Sequence, residues 1–255
     1  MRHLTRALVA AAFIVTTVVA ADPPYVGTWK INESKSHVTG STVTLASAPN
    51  GMMSFESQGF TYTFRTDGKD YPMPDGGTTT WTAASPTVWD GTNKLNGKVA
   101  STFHLEAKGD TLAVAGKVAK PDGGAMDFAS TFKRVSGGPG FPGKWVSTDV
   151  KMPMVTLEIS ANGPNGVALK DDTGPLSSGQ FNGKDNPALG MMAGSKDTFA
   201  FKKLGPSSFE LTAKVDGKPM GVEVYTVSAD GKTLTVDGTP TNAKTEKYTL
   251  VFDKQ

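Results

Sequence analysis

The chain has 255 residues, 26 Lys and Arg against 24 Asp and Glu, 38% hydrophobic residues and no cysteine. That near-neutral balance excludes an electrostatic footprint for nucleic acid or an anionic membrane surface. The missing thiols exclude Cys nucleophiles, Cys-bound zinc, Cys-x-x-Cys-His haem attachment and lipidation at a cysteine.

Residues 1–21 predict a secretory signal peptide. Arg2 and Arg6 precede an apolar run from Ala7 to Val19, and small residues lead to Ala20 and Ala21. The run is shorter than the ~20 residues of a comfortable membrane span. Without Arg2 and Arg6 the basic count falls to 24, equal to the acidic count. The expectation is a cleaved, exported chain in a bacterial periplasm or outside the cell, with no membrane span in the mature protein.

From Asp22 the elements read as short strands. GTWKI (27–31) comes first, then FTYTFRT, with Phe60, Tyr62 and Phe64 on one face and Thr61, Thr63 and Arg65 on the other. DGKDYPMPDG (67–76) follows, then TTTWTAASPTVWDG with Trp81 and Trp89, then STFHLEA with Phe103 and Leu105 opposite His104 and Glu106. GDTLAV (109–114) and TFKRV (131–135) close the first half. Turn pairs such as Asp67-Gly68, Asn96-Gly97 and Asp122-Gly123 punctuate the runs.

The order then repeats. GKWVS (143–147) echoes GTWKI, NGKDNPAL (182–189) echoes DGKDYPM, GKTLTV (231–236) echoes GDTLAV, and LVFDK (250–254) echoes TFKRV, all at offsets of 115 to 122. This predicts an all-β chain of two homologous domains, 22–135 and 144–255, joined by the Gly/Pro linker SGGPGFPG at 136–143. Some eight short strands per half imply closure into antiparallel barrels or sandwiches.

GTWKINESKS, DGKDYP and DGKTLTV together resemble the lipocalin-like domains of secreted bacterial proteins, and the likeness spans both halves. Gly27 and Trp29, and Gly143 and Trp145, are similar to the Gly-x-Trp of the lipocalin first strand. The resemblance implies two tandem lipocalin-like barrels in which each Trp packs at the closed end against a basic residue of the last strand. Arg134 would serve Trp29, with Lys254 the counterpart in the second half. The lipocalin Thr-Asp-x-Arg motif is absent, which places the resemblance with the wider family.

The acidic stretch 67–76 invites a calcium reading, but Asp67 and Asp70 are three apart and Lys69 stands between them. The second copy loses the charge at Asn182 and has no match for Asp75, so a structural turn is expected. Ser130-Thr-Phe-Lys133 matches S-x-x-K, yet on a strand those two side chains take opposite faces. After the leader only His37 and His104 remain, too few for a His-based metal site or triad spanning both halves. Met52-Met53, Met152-Pro-Met154 and Met191-Met192 are assigned to core filling over copper binding. Asp171-Asp172 sits beside Gly174-Pro175 and reads as a solvated turn. The expectation is therefore no enzyme, no metal and no cofactor.

The aromatics remain. An eight-stranded barrel encloses packed side chains or one small ligand. Tyr62, Phe64, Trp81, Trp89 and Phe103 are expected to line a cavity in the first half, and Phe199 and Phe201 in the second. The function expected is non-covalent binding of a small apolar molecule. The alternative is an envelope protein-interaction or structural module with filled barrels and no ligand.

Overall fold

The structure, a computed structural model, describes residues 22–57, 60–120, 122–151, 156–241 and 247–255. The expected signal segment, and Met152 and Met154, lie outside them. The described chain is all-β apart from three single-turn 3-10 segments. It forms two antiparallel ten-stranded sheets, each curled until its ends approach.

The first sheet, barrel 1, is built from one continuous piece of chain. Its strands are β2 (Thr42–Ala48), β3 (Met52–Ser57), β4 (Phe60–Phe64), β5 (Asp67–Pro72), β6 (Thr78–Ser85), β7 (Val88–Leu95), β8 (Lys98–Lys108), β9 (Thr111–Ala119), β10 (Ala125–Gly137) and β11 (Gly143–Lys151). Their order is β4-β3-β2-β11-β10-β9-β8-β7-β6-β5. The second sheet, barrel 2, combines β1 (Gly27–Ile31) with β12 (Thr156–Ala161), β13 (Gly166–Asp171), β14 (Gly174–Gln180), β15 (Asp185–Pro187), β16 (Asp197–Gly205), β17 (Ser208–Val215), β18 (Lys218–Val227), β19 (Thr233–Pro240) and β20 (Tyr248–Lys254). Its order is β14-β13-β12-β1-β20-β19-β18-β17-β16-β15.

The first strand of each repeat thus lies in the other repeat's sheet. β1 pairs with β12 and β20, and β11 pairs with β2 and β10. The expected division into 22–135 and 144–255 does not follow the sheets. Barrel 1 takes β11 from beyond the expected linker, and barrel 2 takes β1 from before it. The reason is the connection: Gly137 and Gly143 are already ladder partners, so 136–143 is a tight hairpin loop and not an interdomain linker. A loop that short makes β10 and β11 neighbours.

The chain crosses between the barrels near Asn32–Ser41. His37 N–H donates to Thr249 O (2.6 Å) in barrel 2, while Gly40 N–H donates to Ser147 O (2.9 Å) in barrel 1. The barrels also touch directly, through Lys196 N–H on Asp75 O (2.8 Å) and Asn96 Nδ2 on Ala193 O (2.9 Å).

Each barrel is plugged at one end by the same device. Trp29 and Trp145 are wholly buried, and each indole N–H donates to the carbonyl of the aromatic residue four positions earlier, Tyr25 (2.9 Å) or Phe141 (3.0 Å). Between each pair stands a glycine with positive φ, Gly27 (144°) or Gly143 (154°), a conformation that L side chains rarely adopt. A cation covers each indole. Lys254 Nζ lies 5.1 Å from the Trp29 centroid and Arg134 Cζ 3.9 Å from that of Trp145. The expected pairing of Arg134 with Trp29, and of Lys254 with Trp145, is therefore reversed, because the two tryptophan strands have changed barrels.

Candidate functional site

Inward positions follow the strand period of two. On β6 these are Thr79 and Trp81, on β7 Trp89, Gly91 and Asn93, and on β8 Ser101, Phe103 and Leu105, with Gly91 opposite Phe103 and Asn93 opposite Ser101. They divide into two levels. At the plugged end, Phe141 stacks on Trp89 (3.9 Å between centroids) and Phe64 stacks on Trp81 (4.3 Å). Above them is a cavity of about 260 Å³ whose wall includes Phe55, Tyr62, Trp81, Asn93, Phe103 and Phe128.

Of the residues expected to line a site in the first half, Tyr62, Trp81 and Phe103 reach this cavity. Phe64 and Trp89 lie beneath it in the core. Phe55 and Phe128 were not anticipated, although the alternation of their strands was visible. Two glycines make room for the rings. A Cβ on Gly91 would collide with Phe103, and one on Gly116 with Phe128.

A buried polar cluster lies behind part of the cavity wall. Thr79 Oγ1 and Trp81 Nε1 are buried beside the Tyr62 phenol, and Asn93 Oδ1 is buried without a hydrogen-bond partner. Thr79 and Asn93 are direct cross-strand partners, and Trp81 stands two residues from Thr79 on the same face. Asn93 Nδ2 donates to Ser101 Oγ (3.1 Å), leaving its oxygen to spare. The Tyr62 phenol belongs to this cluster. Burial pushes its pKa far above the usual 10, while hydrogen bonds with Thr79 and Trp81 oppose the shift. It is neutral at any physiological pH.

Barrel 2 answers the same positions with different chemistry. Its cavity is about 200 Å³ and is lined by Phe199, Met192, Leu211, Glu223 and Tyr225 among others; Phe201 is fully buried in the core. Ladder positions equate Phe103 with Glu223, since each faces an inward glycine of the next strand, Gly116 or Gly238. Phe128 corresponds likewise to Tyr248. The Glu223 carboxylate accepts from Tyr225 Oη (2.6 Å) and from Tyr248 Oη. Burial, then the Glu223 charge, raise both phenols well above 10.

The carboxylates of 67–76 hold strands together. Gly68 (φ 76°) marks an irregular register between Asp67 and Asp70, so Asp67–Pro72 form a bulged strand, β5, and the expected turn is confined to Met73–Gly77, where Gly76 N–H donates to Met73 O (3.1 Å). The Asp70 carboxylate accepts from Thr80 Oγ1 (2.5 Å) and pairs with Lys94 Nζ (2.9 Å), and these contacts hold it below the usual carboxylate range. Barrel 2 repeats the bond as Lys214 to Asp185 (2.7 Å). Among the described residues no group of three His, Asp or Glu is placed to hold a metal ion. On the outer face, His104 Nδ1 lies 2.7 Å from Asp90 Oδ1 and Lys117 Nζ 2.7 Å from Asp127 Oδ1, all well exposed.

No protein-family model and no curated protein matches the chain. Among solved structures it is similar to a "putative outer membrane protein" from Bacteroides fragilis NCTC 9343, at 12% identity over 90% of this chain and 97% of that one, with a TM-score of 0.20. A likeness at that score carries no argument about fold or function.

Proposed function

We propose that the protein is an exported, lipocalin-like binding protein that holds one small, largely apolar molecule in barrel 1 without covalent chemistry. The observation that carries this reading is the 260 Å³ cavity with walls of Phe55, Tyr62, Trp81, Phe103 and Phe128 above the packed layer of Phe64, Trp89 and Phe141. Ligand sites are concave and mostly apolar, with a few polar groups that fix orientation. Binding would come from burying ligand surface against aromatic faces, at roughly 25 cal/mol per Å². The exterior supports a water-surrounded barrel. Asp90, His104, Lys117 and Asp127 point outward, the reverse of a lipid-facing barrel with an apolar outer band.

The test is native mass spectrometry of the mature protein purified gently from a periplasmic extract. A retained mass that disappears in Trp81→Ala supports the reading. A bare protein mass that is unchanged after incubation with lipid and metabolite extracts overturns it.

A further inference from the structure

Barrel 2 puts a charge where barrel 1 puts a ring. Glu223 takes the inward position that Phe103 holds in barrel 1. Each carboxylate oxygen accepts one phenol: Oε2 takes Tyr225 Oη (2.6 Å) and Oε1 takes Tyr248 Oη. A carboxylate offers about four lone-pair sites, so both oxygens keep room for another donor. Phenols are neutral donors and leave the charge uncancelled. Among the described residues no lysine, arginine or histidine forms an ion pair with Glu223. Charges withdrawn from water are normally paired, so this half-buried carboxylate is fitted for a partner that none of the described residues supplies.

Its surroundings give that partner a shape. Along β18, Tyr225 stacks on Phe209 (4.5 Å between centroids), and Phe209 meets Tyr25 of the plug edge-on (5.1 Å). Glu223 is the next inward residue of the strand, one step farther from the plug. Together with Ala213 it lines two adjoining spaces. One is the cavity of about 200 Å³, walled by Leu157, Phe199, Leu211 and Val236 among others. The other is a hollow of about 120 Å³ beside Met220, Pro240 and Tyr248. No basic side chain among the described residues lines either. A dry cavity of about 150 Å³ accommodates benzene, so the larger space suits a body of about one ring with a short arm. A single carboxylate among aromatic rings favours an organic cation over a metal ion, which takes several oxygen ligands.

We propose that barrel 2 is a second site, separate from the barrel 1 cavity, for a small organic cation: a protonated amine on an apolar body of about one ring. The ammonium donates to the Glu223 carboxylate, which Tyr225 and Tyr248 hold in place. The body lies against Phe199, Leu211 and Val236.

The experiment titrates the full mature protein with three probes of one shape: 2-phenylethylamine (a cation at neutral pH), 2-phenylethanol (neutral) and 3-phenylpropanoate (an anion). Calorimetry gives the affinities. Nuclear Overhauser contacts from the probe ring to the methyls of Leu211 and Val236 locate it in the unaltered protein. The expected result is that the amine binds about tenfold or more tighter than the alcohol, the gain of roughly one charge-assisted hydrogen bond. It should show contacts to both Leu211 and Val236. Glu223→Gln keeps the shape and removes the charge, and should bring the preference to near unity. The inference fails if the alcohol or the anion binds as tightly as the amine, or if the amine contacts Trp81 and Phe103 of barrel 1 instead. It fails equally if the preference survives Glu223→Gln. A purely structural Glu223 predicts no binding of the amine at millimolar concentration and a lower melting temperature in Glu223→Gln, and that result also overturns the inference. None of these failures touches the barrel 1 reading, which has its own test.

Discussion

Arg134 lies with its guanidinium carbon 3.9 Å from the ring centroid of Trp145, the tryptophan that opens the following repeat. The same guanidinium donates to the carbonyls of Pro142 (3.1 Å), Gly140 (2.7 Å) and Gly109 (3.0 Å). It therefore ties the β8–β9 turn to the hairpin that delivers β11. A lysine keeps the charge but has neither the planar face nor the fork of donors. Arg134→Lys is expected to cost about 2 kcal/mol, through backbone acceptors left without a partner. Urea unfolding followed by tryptophan emission measures it; a loss below about 0.5 kcal/mol would mean that the staple is unimportant.

The exchange of first strands predicts an unusual truncation phenotype. Removing residues 22–38 deletes β1, whose partners are β12 and β20. Barrel 2 should lose its amide protection while barrel 1 keeps its own, although the deletion lies next to barrel 1 in sequence. Hydrogen exchange resolved by segment decides this. Loss of protection in β2–β10 with retention in β12–β20 would contradict the topology.

The two barrels supply a natural filling experiment. Ser130 lines the barrel 1 cavity, and Leu250 occupies the matching place in barrel 2. Ser130→Leu should fill the space, raise stability by about 1 kcal/mol and abolish any retained ligand mass. Binding that survives the substitution would place the ligand elsewhere.

Alkaline stability follows from the phenols. Tyr62, Tyr225 and Tyr248 are all raised above the ordinary value of 10 by burial. Above pH 10 the unfolded chain releases these protons and the folded chain keeps them, so the unfolded state binds fewer and stability falls as pH rises. Below pH 10 this contribution is fully present. Each phenol should contribute a slope of about 1.4 kcal/mol per pH unit between 10 and its raised value. Tyrosinate absorbance should therefore lag, then rise in step with the loss of near-ultraviolet circular dichroism. Smooth titration near pH 10 with the fold intact would count against the burial described.

Periodicity and internal echo made the two barrels legible, because alternation of apolar and polar residues states which face of a strand is inside. Gly27, Trp29, Gly143 and Trp145 were visible for the same reason, and Tyr25 and Phe141 repeat at the same offset of 116. The exchange was not legible in the motifs. Trp29 and Trp145 sit in equivalent strands whose sockets each offer a cation over the indole, so the motifs alone do not distinguish the two arrangements. What distinguishes them is the length of the Gly137–Gly143 loop, which is too short to separate two barrels. The site divides similarly. Alternation put Tyr62, Trp81 and Phe103 inside but could not say that Phe64 and Trp89 belong to the plug. The clustering of Tyr62, Thr79 and Trp81 around one buried phenol depends on three-dimensional neighbours that no spacing reveals.

Because β1 ends up beside β20, Trp29 finds its ladder partner Lys254 only 225 residues later. A chain that emerges from its N-terminus can complete barrel 1 once β11 is out, whereas barrel 2 waits for the last strand to be made. Such high contact order slows closure and leaves an early strand without its neighbours in the meantime. Barrel 1 thus has all its strands available before barrel 2 does. Barrel 2 is closed like a clasp, by the ladder between β1 and β20.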